Sequence, residues 1–115
     1  MLDWVDLELL AFVERFAGKR ILWKVTEYFG HNSQTPDTLE GIARHLGLDA
    51  ADMCEYLRYL VNQGLLEDWM SDGQAYYRLT SEPHLRSMAK RFARMAWVAP
   101  GVSFQSMVNP GFAVV

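Results

Sequence analysis

The chain has one cysteine, Cys54, in 115 residues. A single thiol excludes an intrachain disulfide and any structural zinc site built from several cysteines. Long apolar runs are also missing, and none approaches the roughly 20 residues that a helix needs to cross a bilayer. The N-terminus, Met1-Leu2-Asp3, is acidic and unlike a basic-then-apolar secretory signal, which points to a cytoplasmic protein. No glycine-rich phosphate loop, nucleophile elbow or metal-ligand pair is visible. His31, His45 and His84 stand far apart without i, i+4 partners, as surface or capping residues do. Cys54 falls at the edge of a buried stripe and reads as a structural cysteine. The expectation is a protein that is not an enzyme and holds neither metal nor cofactor.

Acid is missing from one end. Beyond residue 82 the chain has Arg86, Lys90, Arg91 and Arg94 and no Asp or Glu, while residues 1–82 hold all 14 acids. Such asymmetry sets up two surfaces of opposite sign, unless the four bases simply solvate one helix face. The chain is otherwise rich in core material, half hydrophobic and 13% aromatic. That suits one compact domain rather than two.

Residues 3–17 are apolar at Val5, Leu9, Phe12, Val13 and Phe16, the spacing of one helix face. A second helical run follows from Lys19 through Phe29, and Gly30-His31-Asn32-Ser33-Gln34 reads as a loop. Pro36 suits the first position of the next helix, and Thr38 is also placed to cap it. Gly47 supplies a tight turn, and Asp49 caps a helix that buries Met53, Leu57, Leu60 and Val61. Winding that helix puts Ala51, Asp52, Glu55, Arg58, Tyr59 and Asn62 outside. Asp72-Gly73 is the favoured pair for a two-residue hairpin turn, so Trp69 faces Tyr76 and Glu67 faces Arg78. Strand alternation then puts Leu66, Met70, Tyr77 and Leu79 on a core face, and Glu67, Trp69, Tyr76 and Arg78 on the other. Pro83 opens a last helix over 83–97, with Leu85, Met88, Ala89, Phe92, Met95 and Ala96 along one side. Residues 98–115 carry no charge and read as an irregular apolar tail lying over a subunit or a neighbour.

The run GIARHLGLDAADMCEYLRYLVNQGLLEDWMSDGQAYYRLT resembles the DNA-binding core of the ArsR and MarR families of regulators. The implied fold is mainly α with a small β-hairpin, a winged helix-turn-helix with extra N- and C-terminal helices. Residues 1–97 form one domain, with the helix-turn-helix over 35–64 and the wing over 65–80. The same core resembles the N-terminal dimerisation module of small-molecule O-methyltransferases, of which only the architecture carries over.

In those regulators the flanking helices make a homodimer. The resemblance therefore implies dimer contacts along 3–17 and 83–97, at Leu9, Phe12, Phe16, Leu85, Met88, Phe92 and Met95. It also implies DNA contacts on the second helix and wing, at Ala50, Ala51, Asp52, Glu55, Arg58, Asn62, Gln74 and Arg78, with Arg44 and His45 from the preceding helix. Phosphate contact needs Lys and Arg. From Asp49 to Leu79, however, six acids stand against only Arg58 and Arg78. Two functions follow. One is a transcription-regulator-like protein on duplex DNA. The other is a protein-interaction module whose acidic helix, with Trp69 and Tyr76, meets an unknown protein partner. Neither involves a membrane.

Overall fold

The structure, a computed structural model, describes residues 7–98. Five helices and three strands follow in the order α1 (Leu7–Phe16), α2 (Arg20–His31), β1 (Asp37–Thr38), α3 (Leu39–Leu46), α4 (Ala50–Asn62), β2 (Leu66–Ser71), β3 (Gln74–Leu79) and α5 (Pro83–Val98). This is a mainly helical winged helix with an added helix at each end. The part of the first expected helix before Leu7 and the apolar tail beyond Val98 lie outside the described residues.

Local chemistry accounts for most of the boundaries. Thr38 accepts a 3.0 Å hydrogen bond from the Gly41 amide and opens α3, while Asp49 accepts one of 2.9 Å from the Ala51 amide and opens α4. Asp72 (φ 52°) and Gly73 (φ 76°) both lie in the left-handed region that the hairpin turn demands. The register follows, with Glu67 opposite Arg78, Asp68 opposite Tyr77 and Trp69 opposite Tyr76.

Two local expectations are corrected. Pro36 does not start a helix. It precedes a two-residue strand in which Asp37 pairs with Tyr77 and Thr38 with Tyr76, so the sheet has three strands in the order β1-β3-β2. The free edge of β3 offered long-range hydrogen bonds that local propensity could not reveal. Gly30 and His31 are helical rather than loop, and Gly30 is buried.

The core is built from Phe12, Phe16, Val25, Phe29, Ile42, Leu57, Leu60, Leu79 and Phe92, drawn from every helix and the base of the sheet. Each such side chain contributes about 1.5–3 kcal/mol on leaving water. Thr26 is buried among them, and its hydroxyl donates a 2.8 Å bond to the Phe16 carbonyl at the end of α1. That answers a helix-end oxygen which would otherwise lack an intrahelical partner. Arg15 reaches across to Gln63, with Nε 3.2 Å from Oε1 and Nη2 3.3 Å from the carbonyl, while Tyr59 donates a 2.6 Å bond to the Arg15 carbonyl. The C-terminal ends of α1 and α4 are thereby fastened together.

Candidate functional site

The α3–turn–α4 pair presents α4 edge-on. Met53, Leu57 and Leu60 face the core, and Val61 is half-buried; Ala51, Asp52, Glu55, Arg58 and Asn62 are exposed and Ala50 half-buried. Cys54 is exposed rather than structural, because one step past Met53 turns it 100° off the buried stripe. On α3, Arg44 and His45 are exposed as well.

The sheet divides the remaining candidates. Tyr77 lies on the face toward the helices, half-buried, with its hydroxyl pKa raised mainly by burial and further by nearby Cys54 and Asp68. Cys54 and Arg58 of α4 therefore lie on the inner side of the hairpin, near Tyr77. Trp69, Tyr76, Arg78 and Glu67 occupy the outer face. The Trp69 and Tyr76 rings stack at 5.9 Å and 17°, and the Arg78 guanidinium sits 5.0 Å over the Trp69 ring. Arg78 Nε donates to Glu67 Oε1 at 2.9 Å, and the other Glu67 oxygen accepts from the Ser81 amide and hydroxyl at 3.0 Å each. The Ser81 amide first, and then Arg78, hold the Glu67 carboxyl below the usual range. Gln74 is exposed at the hairpin tip. Met70, expected on the core face, is 66% exposed because the hairpin projects past the helices that would cover it. The residues read from sequence as one recognition surface are therefore two, on opposite sides of a sheet.

A third group was not foreseen. The Tyr28 hydroxyl donates to Asp37 Oδ2 at 2.6 Å, and His45 Nδ1 lies 2.8 Å from the Gly41 carbonyl and 3.3 Å from the same Asp37 oxygen. Burial, and then the bond to Asp37, push the Tyr28 pKa up. These contacts lock α2, β1 and α3 together and occupy His45, although its ring edge stays open to solvent. Among the described residues no three His, Cys, Asp or Glu side chains are placed to hold a metal ion, and no helix is long and apolar enough to cross a membrane.

The dimer residues inferred from the resemblance sit differently from the expectation. Leu9, Phe12, Phe16, Met88 and Phe92 are buried inside the single chain, and Leu85 and Met95 are half-buried against the same core. The apolar faces of the terminal helices are thus not spare, because they complete the core over α2. Trp23 packs edge-on to Phe92 at 4.7 Å. A shallow groove between α1 and α5 keeps parts of Phe12, Phe16, Leu85 and Met88 in its lining. Among the described residues, Leu7 and Leu10 on α1 are large hydrophobic side chains of the terminal helices that lie open to solvent.

No family model matches the chain, and no curated protein matches it in sequence. Solved structures share its fold. HlyU from Vibrio cholerae superposes with a TM-score of 0.62 at 12% identity, over 76% of this chain and 91% of that one. AntR, an antimony-specific transcriptional repressor, gives 0.63 at 14% identity, over 87% and 93%. Mb0332 from Mycobacterium bovis, described as a homodimeric winged helix-turn-helix DNA-binding domain, gives 0.55 at 23% identity, over 82% and 81%. The shared fold is the winged helix-turn-helix, expected from the chain's own turn and cap residues.

Proposed function

We propose that this chain is a small transcription-regulator-like protein that binds duplex DNA through α4 and the hairpin tip. The observation that carries the reading is the α4 surface. Ala51, Asp52, Glu55, Arg58 and Asn62 form one exposed stripe on a helix whose other side is core, in a fold shared with a DNA-binding domain. Arg44 and His45 on α3 and Gln74 at the hairpin tip extend that surface toward flanking phosphates.

Its charge shapes the binding. Asp52 and Glu55 repel phosphate, and of the base edges in the major groove only the amino groups of cytosine and adenine can donate to a carboxylate. Affinity for generic duplex is therefore low. A homodimer, as in the Mycobacterium bovis domain, compensates by doubling the contacts. In this chain the pairing surface is the open side of α1 that carries the exposed Leu7 and Leu10. The Trp69–Tyr76–Arg78 face supports a second reading, a protein-interaction module, because exposed aromatics with arginine concentrate binding energy at interfaces.

A salt series on duplex DNA separates the two readings. DNA binding gives a linear fall of log K with log salt, with a slope of about 0.9 per phosphate neutralised. No binding at low salt would overturn the DNA reading and leave the outer face of the sheet as the functional surface.

A further inference from the structure

A cleft of about 330 Å³ lies between the root of the hairpin and the start of α5, lined by Ser33, Gln34, Arg78, Leu79, Ser81 and Arg86. Arg86 is half-buried there. Its Nη1 donates to the Thr80 carbonyl at 3.3 Å and its Nη2 to the Ser33 carbonyl at 3.0 Å. Among the described residues no carboxylate forms an ion pair with it. Carbonyl oxygens satisfy hydrogen-bonding capacity but leave the charge unanswered, and a cation drawn partly out of water favours a counter-charge. A guanidinium has five N–H donors, so Arg86 has three left after these two bonds. The second cation on the wall, Arg78, already shares Glu67, which is itself fixed by Ser81. Two guanidiniums thus face one carboxylate, and the cleft keeps an excess positive charge.

We propose that this cleft binds a small organic anion carrying one phosphate or carboxylate group. The remaining N–H groups of Arg86 and Arg78 supply charge-assisted donors, whose planar forks match both anions. Ser33, whose carbonyl Arg86 holds, and Gln34 add neutral polar groups to the lining. The volume falls in the range of small-molecule sites and exceeds what a bare ion would fill. The ligand bridges the α2–β1 turn, the wing root and α5, and so fixes the angle of the hairpin to the body. This site is on the far side of the sheet from α4, and its occupancy does not depend on DNA binding.

The test uses the whole chain, with phenyl phosphate and benzoate as probes and chloride at matched ionic strength as control. Arg78 lies 5.0 Å over the Trp69 ring, so an anion drawing on Arg78 alters Trp69 emission. The expected result is a saturable change with at least one probe, none with chloride, and loss of the signal in Trp69→Phe. Arg86→Gln raises the apparent Kd at least tenfold. Because Arg86 also holds two carbonyls, a second variant is needed. Ser33→Asp puts a carboxylate into the cleft, and is expected to raise Tm while abolishing the saturable change. A response no different from chloride overturns the proposal, as does a saturable response that survives Ser33→Asp unchanged.

Discussion

Gly30 on α2 sits so close to Ala89 on α5 that a β-carbon at Gly30 would run into the Ala89 carbonyl oxygen, and would stand 2.6 Å from the Ala93 β-carbon. Two effects of Gly30→Ala therefore oppose each other. Alanine favours a helix over glycine by about 1 kcal/mol. Overpacking against a neighbouring backbone costs about 1–3 kcal/mol, because backbone on a packed helix cannot yield as a flexible side-chain end does. The collision wins. Gly30→Ala is expected to lower Tm by several degrees in a thermal melt monitored by circular dichroism, and a rise in Tm would show that α2 and α5 separate freely.

The glycine illustrates what the sequence reveals and what it hides. The hairpin register was legible because Asp72-Gly73 fixes the turn and strand alternation does the rest. The α4 surface was legible because Asp49 marks its start and a 100° step assigns every face. Strand β1 was not, since two residues, Asp37 and Thr38, gain their conformation from a partner about 40 positions away. Nor could an apolar helix face declare what it packs against. Phe92 and Met88 have the same spacing whether they meet a second subunit or α2 of their own chain. Arg86 carried no signal either, because its role depends on Ser33 and Thr80 arriving beside it through the fold.

The dimer question now turns on different residues. Leu7 is 74% exposed and Leu10 36%, and they lie three apart on α1. Leu7→Glu with Leu10→Glu is expected to convert a homodimer to a monomer while leaving chemical stability within about 0.5 kcal/mol, as for open surface sites. Phe92→Ala, by contrast, should cost about 3–5 kcal/mol whatever the oligomeric state, because Phe92 is fully buried in the single chain. Equilibrium sedimentation decides. Wild-type protein that runs as a monomer at micromolar concentration would remove the interface.

Acid should loosen the wing root before the helices unfold. The Glu67 carboxyl is held below its ordinary range by the Ser81 amide and then by Arg78. A carboxyl depressed in the folded state stabilises it fully above its unfolded pKa of about 4.3, and that contribution disappears as pH falls through the lower folded value. Protonating Glu67 releases Arg78, which lies over Trp69. Trp69 emission is therefore expected to change in wild type below about pH 4, ahead of far-ultraviolet ellipticity. Glu67→Gln should flatten that step, and an identical acid profile in the variant would sever Glu67 from it.

Asp52 and Glu55 offer the sharpest test of what the α4 surface meets. Both are exposed, three residues apart on the helix that would enter the major groove, and neither has an ion-pair partner among the described residues. Near a screened surface each carboxylate repels phosphate by about 0.5–1 kcal/mol. Asp52→Asn with Glu55→Gln removes two negative charges at nearly constant shape. If α4 docks in the groove, the pair should tighten binding to non-specific duplex by roughly five- to thirtyfold at low salt, the exponential of about 1–2 kcal/mol. The gain should shrink as salt rises, since screening weakens the repulsion being removed. Asp72 at the hairpin tip supplies the control, because Asp72→Asn keeps a side chain that tolerates φ of 52° and removes a charge away from α4. An affinity unchanged by the α4 double substitution but raised by Asp72→Asn would mean that the hairpin tip approaches the duplex and α4 does not.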